Sequence, residues 1–342
     1  MSEIKRRRIR YIAAFSGIIV ILVILCALNL GIGSVNIKPM EIFRILLGTG
    51  SRRDAANIIL NIRLPRMLAA LVLGGALSVS GFALQTFFSN PIAGPFVLGI
   101  SSGAKLAVAA VMIFFLGRGM TIGSPVMICA AFAGSMISMA FVLAVSGKTR
   151  SMGVLVICGV MIGYICSALT EFLVTFADDS NIVNLHNWSM GSFSGISMQQ
   201  VGIMSVVVAY AMAFSGLLAK PMGAFMIGEA YAKSVGVNIK LFKLALIMLS
   251  GVLAACVTAF AGPVSFVGVA VPHIAKKLFN TSMPQVILPG SFLLGGAFCL
   301  LCDFVARMAF SPTEMSISTV TAVFGAPVVI RIMLGRRRLN ER

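Results

Sequence analysis

The chain has 342 residues, 59% of them hydrophobic and 11% charged, whereas a soluble domain is about 25% charged. That balance excludes a water-soluble enzyme, a disordered chain and a small secreted disulfide scaffold. The net charge of +17 would suggest a nucleic-acid partner in a soluble protein. Here the basic residues sit between apolar runs and at the two ends, without a basic patch interleaved with aromatics, as in membrane proteins whose cytoplasmic loops collect Lys and Arg.

A bilayer-spanning helix needs about 20 apolar residues, and this chain holds enough for up to about ten. Lys5-Arg6-Arg7-Arg8-Ile9-Arg10 precedes an apolar run from Tyr11 to about Leu30. The run is too long for a signal peptide and reads as an uncleaved first span. After a mixed, amphipathic stretch to Asn57, span 2 runs from about Ile58 to Phe87, span 3 from Phe96 to Leu116, span 4 from Ser124 to Val145 and span 5 from Met152 to Phe176. A polar stretch with the single Trp, Trp188, leads to span 6, about Val201–Ala219. A Gly-, Ala- and Lys-containing segment, 220–240, separates it from span 7, about Leu241–Ala261. The run Pro263–Leu278 is short and holds Pro272, so it crosses only if tilted or packed against protein. Span 9 covers about Val286–Val305, span 10 about Ser318–Leu334, and Arg336-Arg337-Arg338 follows.

The expected fold is therefore all-α, a ten-helix membrane bundle forming one permease domain over 1–342. Ten crossings put both ends on one side, and the charge distribution makes that side cytoplasmic. Lys38, Arg44, Arg52, Arg53, Arg63, Arg66, Arg118 and Arg307 fall outside, Lys105 falls within span 3, and the remaining basic residues fall inside. Only Glu3, Glu229 and Glu341 among the acids fall inside.

Chemistry within the chain finds little support. Ser146-Gly147-Lys148-Thr149 resembles the end of a phosphate-binding loop, but the Gly required five residues before Gly147 is Val142. The chain then has no nucleotide site, and any ATP and Mg must sit on a separate ATPase subunit. No cofactor or metal is expected: the two His are far apart, and all seven Cys lie in apolar runs, where they act as small packing residues. An intramembrane hydrolase lacks paired catalytic groups. Gly99-x3-Gly103 and Gly159-x3-Gly163 allow close helix approach or line a pathway with small residues.

Five motifs in order resemble the permease subunits of ABC importers for iron-siderophores, haem and cobalamin. They are Arg63-Leu-Pro-Arg66; Gly81-x3-Gln85-x4-Asn90-Pro91-x3-Pro95-x2-Leu98-Gly99-Ile-Ser-Ser-Gly103-Ala104; Trp188-Ser-Met-Gly191-Ser192; Gly228-Glu229-Ala230-x-Ala232-x3-Gly236-Val237; and Gly262-Pro263-x2-Phe266-Val-Gly268-x2-Val271-Pro272-His273-Ile274. The resemblance covers about residues 10–335. It implies a homodimer, or a pair with a close paralogue, of ten-span permeases in a bacterial plasma or inner membrane. Two ATP-binding cassette subunits would sit on the cytoplasmic side, and an extracytoplasmic binding protein would deliver the ligand. An iron-siderophore or related chelate is the leading ligand class, with cobalamin or haem as the alternative; a self-coupled secondary transporter is disfavoured by the few ionisable residues in the spans. The chain departs from the family pattern at Gly94, Ser265, Lys276 and Glu314-Met-Ser316-Ile-Ser318.

The resemblance also suggests roles. Gly228, Glu229, Ala230, Ala232 and Gly236 would form a short helix–turn–helix that docks on the ATPase, with Glu229 meeting a basic residue there. Arg63, Arg66 and Arg307 would present their forked guanidiniums to carboxylates of the binding protein. Read from the residues alone, Arg63 and Arg66 could equally snorkel to lipid phosphates, and Asp303 could hold Arg307 as an i,i+4 pair. Asn90, Ile92, Ser151 and Met152 would form the cytoplasmic constriction, with Gly159, Gly163 and Glu171 along span 5. Glu171 is open between a pathway residue and a packing anchor.

Overall fold

The structure, a computed structural model, describes residues 3–33, 35, 37–49, 53–116, 123–146 and 152–340, and every regular element among them is helical. In chain order these are α1 (Glu3–Gly31), α2 (Pro39–Leu46), α3 (Arg53–Asn57), α4 (Leu64–Phe88), α5 (Ile100–Val111), α6 (Ser124–Ser146), α7 (Met152–Val174), α8 (Asp179–Ser189), α9 (Met198–Ile227), α10 (Glu229–Ser234), α11 (Ile239–Ala261), α12 (Val267–Phe279), α13 (Pro284–Met308) and α14 (Ile317–Asn340). A π-helical turn, Ile58–Arg63, joins α3 to α4 without a break, and another, Met112–Leu116, extends α5.

Each of the ten expected runs contains a helix. Among the described residues, seven helices are long and apolar enough to cross a membrane: α1, the α3–α4 rod, α6, α7, α9, α11 and α13. Shorter apolar helices cover Ile100–Phe115 and Ile317–Arg331. The tenth, α12, has 13 residues, about 20 Å of helix against a hydrocarbon core of about 30 Å.

The irregular stretch 262–266 leads into α12 and is packed in protein, the condition under which non-helical backbone is tolerated in a membrane protein. The Ala261 carbonyl accepts from Ser192 N at 2.8 Å, and the Pro263 carbonyl accepts from the Ser318 hydroxyl. Phe266 adopts a left-handed conformation (φ 64°) to turn the chain into α12, an uncommon geometry for a bulky residue. Trp188-Ser-Met-Gly191-Ser192 is the cradle of this turn. A Cβ at Gly191 (φ 72°) would lie 2.5 Å from the Pro263 carbonyl oxygen, so no other residue fits that close approach.

α4 and α11 lie mostly inside the protein, while α1, α7 and α9 face mostly outward. Lipid tails are as apolar as Leu, so burial alone cannot draw helices together there, and small residues that let backbones touch do so instead. A methyl group at Gly81 of α4 would overlap the Gly268 backbone of α12, and one at Gly74 would fall 2.5 Å from the Gly295 carbonyl of α13. On an adjacent face of α4, Ser80 bonds the Ser250 hydroxyl of α11 at 2.8 Å and its carbonyl at 2.9 Å.

One boundary differs from the sequence reading. Span 6 does not stop near Ala219: α9 runs through Pro221 to Ile227. Proline removes a helical hydrogen bond, but Met222 and Phe225 continue the buried stripe, and the Phe225 ring packs on Phe242 of α11 at 5.2 Å. The first third of the 220–240 segment is thus the end of a long helix. Replacing Gly81 by Leu is expected to abolish the yield of monodisperse protein, whereas Gly216→Leu, where nothing lies within 4 Å, leaves it unchanged. Size-exclusion profiles of the two variants check this.

Candidate functional site

Chemistry-bearing residues collect at the two ends of the bundle. At one end lie the start of α4 and the last turns of α1 and α13. Arg63, 7% exposed, donates to the Leu30 carbonyl at 2.7 Å and to the Val35 carbonyl. It thereby serves the last turn of α1, whose carbonyls have no helical partner and carry partial negative charge. Arg66, 8% exposed, donates from Nε to both carboxylate oxygens of Asp303 at 3.0 and 3.1 Å. Its Nη1 reaches both oxygens of Glu314 at 3.0 Å. Arg307 lies 3.2 Å from Asp303 across one turn of α13 and donates to Asn29 Oδ1. Asn29, buried in α1, donates in turn to the Leu25 carbonyl at 2.8 Å and the Leu300 carbonyl at 3.3 Å.

The three arginines do share one end, as expected, but their partners lie within the chain. Arg63 caps a helix. Asp303, 1% exposed, sits between two guanidiniums, so the i,i+4 reading of Arg307 is realised and extended to Arg66. What this cluster shows to solvent is the half-exposed carboxylate of Glu314. The three guanidiniums that the resemblance assigns to docking are thus engaged within the chain. The reason is energetic: an arginine on a buried helix face needs acceptors for its five donors, and these carboxylates supply them.

At the other end, α9 stops at Gly228, whose extended conformation (φ 159°, ψ 149°) separates it from α10. Ala232 is fully buried and anchors α10; Val237 N returns to its carbonyl at 3.0 Å. Gly236 at φ 88° closes the turn in a conformation that suits glycine. Ala230 is exposed. Glu229 does not stand alone. Its Oε2 meets Lys243 Nζ of α11 at 2.8 Å, and that ammonium lies 5.7 Å from the centre of the Phe225 ring. Gly223 lies beside Pro284 at the start of α13, and Arg7 of α1 reaches Met283. This turn and the basic start of α1 are thus at the end opposite Asp303.

The loop after α4 lies at this second end too. Ser89 (φ 49°) ends the helix, and Asn90 Oδ1 accepts from Ile92 N at 3.1 Å, an Asx turn. Asn90 and Ile92 are exposed. Two side chains clamp this loop to α12: His273 Nε2 lies 2.8 Å from the Pro91 carbonyl, and Gln85 Nε2 donates to the Val269 carbonyl at 3.1 Å. Sequence reasoning quoted both residues without giving them this role. Ser151 lies outside the described residues. Met152 begins α7, and its side chain is not among those described. Gly159 and Gly163 face Gly99 at the start of α5, where a Cβ would lie 3.0 Å from the Gly159 carbonyl oxygen, so they form a packing seam in this chain. Glu171 is exposed on α7, not buried as a packing anchor would be.

The sequence pattern of the FecCD transport family matches residues 21–335. The vitamin B12 import system permease protein BtuC of Citrobacter koseri is 33% identical over 334 residues, 98% of this chain and 97% of that protein. Its namesake in Klebsiella pneumoniae is 35% identical over 276 residues, 81% of this chain and 82% of the relative. Among solved structures, one described as a metal-chelate type ABC transporter in an inward-facing conformation matches with a TM-score of 0.81 and 28% identity, covering 92% of this chain and 96% of that one. PsaBC from Streptococcus pneumoniae, solved with a Fab, shares the fold at 13% identity and a TM-score of 0.52, over 84% and 94% of the two chains.

Removing the shared carboxylate should be costly, because it strands two buried guanidiniums. Asp303→Asn is expected to destabilise the protein by about 3 kcal/mol, the scale for breaking a buried pair. Glu314→Gln, at the wet rim, should cost less than about 1 kcal/mol. Thermal unfolding in detergent of both variants reads the order.

Proposed function

This chain belongs to the FecCD transport family, and from that premise we propose that it is the membrane-spanning permease of an ABC importer for a bulky metal chelate. The observation that carries the reading is end-to-end similarity to vitamin B12 import permeases, joined to a fold shared with a metal-chelate transporter. The whole chain, 1–342, acts as one permease domain with ten crossings, both ends cytoplasmic, in a bacterial plasma membrane. Two copies pair, or one pairs with a close paralogue, around a shared pathway. The outward-facing α7 supports that arrangement, with Glu171 on the pathway and Asn90, Ile92, Ser151 and Met152 near its cytoplasmic mouth.

The chain itself carries out no hydrolysis. ATP and Mg are held by two cassette subunits, which meet the turn built from Gly228, Glu229, Ala230, Ala232 and Gly236. Closure of the cassettes moves that turn as a rigid body, and α9 and α11, which run into it without a flexible linker, carry the movement into the bundle. A binding protein meets the opposite end. There the exposed edge of the Arg66–Glu314 pair is the contact, and Arg63 and Arg307 hold the shape of the surface from within.

Two ligand classes are in view. The relatives' name favours cobalamin, and the family resemblance equally supports a ferric siderophore, with haem as a third. Proteoliposomes containing the permease, its cassettes and its binding protein separate them. We expect ATP-dependent accumulation of one of these chelates and none without cassettes. Accumulation by the permease alone on an ion gradient would mean a secondary transporter.

The Glu229–Lys243 pair gives a sharper test of coupling. Glu229→Lys should bring ligand-stimulated ATPase activity near background. If Glu229 also contacts the cassette, the swap Glu229→Lys with Lys243→Glu restores the internal pair but leaves ATPase stimulation low. Recovery in the swapped protein would assign Glu229 only to holding the turn.

A further inference from the structure

Outside these two ends, the bundle has a cleft of about 200 Å³ between α1, α12 and α13. It is lined by apolar side chains, among them Ile21, Leu25, Val271, Ile274, Ala297 and Leu301. It opens sideways from the middle of the apolar rods, where the surrounding medium is lipid. It has room for part of one alkyl chain and none for a helix, which is about 10 Å across.

The helical repeat carries the cleft's stripe toward the basic end of the bundle. Arg10 precedes Ile21 by about three turns and lies on the same face of α1. Along α12 the stripe passes from Val271 and Ile274 to Leu278 and Thr281, with the exposed Lys277 beside it. The Tyr11 and Phe15 rings of α1 pack on Phe279 of α12 at 6.3 and 4.6 Å between centroids, which brings Arg10 to the level of the last turn of α12, where Lys277 lies. Arg10 Nε is buried there and has no hydrogen-bond acceptor among the described residues. Its neighbour Arg7 has already given its Nε to the Tyr11 hydroxyl at 3.0 Å. A buried guanidinium donor without an acceptor is costly, and beside a greasy cleft the acceptor that fits is a phosphate oxygen on an acyl chain.

We propose that this cleft binds one anionic glycerophospholipid, with an acyl chain between α1, α12 and α13 and the phosphate on Arg10 and Lys277. Charge complementarity at the mouth selects the headgroup, and the cleft selects a chain over a second protein surface. The site is independent of what the permease carries.

The test is native mass spectrometry of the protein released from nanodiscs made of equal parts phosphatidylglycerol and phosphatidylcholine. Wild type is expected to retain one phosphatidylglycerol with about thirtyfold preference, the scale for two basic residues near an anionic headgroup. Arg10→Gln with Lys277→Gln should bring that preference to about one. Lys5→Gln with Arg8→Gln removes the same charge from the opposite face of α1 and should leave the preference intact. Filling the cleft by Ala297→Phe, or at an exposed position by Ile21→Trp, should release the retained lipid whatever its headgroup. The proposal is overturned if the Lys5/Arg8 variant loses the preference equally, since the effect is then bulk charge. It is also overturned if both filled variants keep the lipid, or if filling instead weakens self-association of the chain while retention is unchanged, which would make the cleft a contact between copies.

Discussion

The direct contact of backbones along α4 is the constraint on which this structure depends. Gly74, Gly81, Gly268 and Gly295 place α12 and α13 against α4 at distances that a methyl group would forbid. In lipid no hydrophobic force favours that contact over any other. Dispersion between closely packed backbones, together with hydrogen bonds such as Ser80 to Ser250, holds the three helices, and the remaining rods pack around them. The close approach also makes a half-length helix tenable. α12 begins inside the bundle, its irregular entry enclosed by Gly191, Ser192 and Ser318.

Both ends of the site follow from that seam. With α4 and α13 antiparallel and touching, Arg66 at the start of one meets Asp303 near the end of the other, and Asn29 adds α1 to the same knot. At the far end α4 delivers Gln85 and the 89–92 loop to α12, where Gln85 and His273 clamp them. The cap and the clamp are thus joined by one helix, α4.

Much of this was legible in the sequence. Hydropathy located every long helix among the described residues, and the short run Pro263–Leu278 holds a helix, α12, whose entry is enclosed by protein. The small-residue spacings Gly99-x3-Gly103 and Gly159-x3-Gly163 pointed to close approach, which the structure places between Gly99 and α7 and between Gly103 and Gly134 of α6. The rest was illegible because hydropathy reports a residue's surroundings and not its partner. The i,i+4 pair of Arg307 with Asp303 was legible, but Arg66 read as an outward cation, and it is tied to the same carboxylate more than two hundred residues away. Asn29 drew no notice, although a lone amide deep in an apolar run needs a partner. Span 6 read as ending near Ala219, and the buried Met222 and Phe225 explain why the helix continues through Pro221.

The account stands on the Arg66–Asp303 cap and the Gly228–Gly236 turn facing opposite sides of the membrane, one toward a binding protein and one toward the ATPases. Single cysteines at Thr313, beside the cap, and at Ser234, in the turn, on a background free of other cysteines, test this in intact cells with an impermeant thiol reagent. The account predicts labelling of Thr313→Cys from outside and of Ser234→Cys only after permeabilisation. Labelling of both from the same side would contradict it.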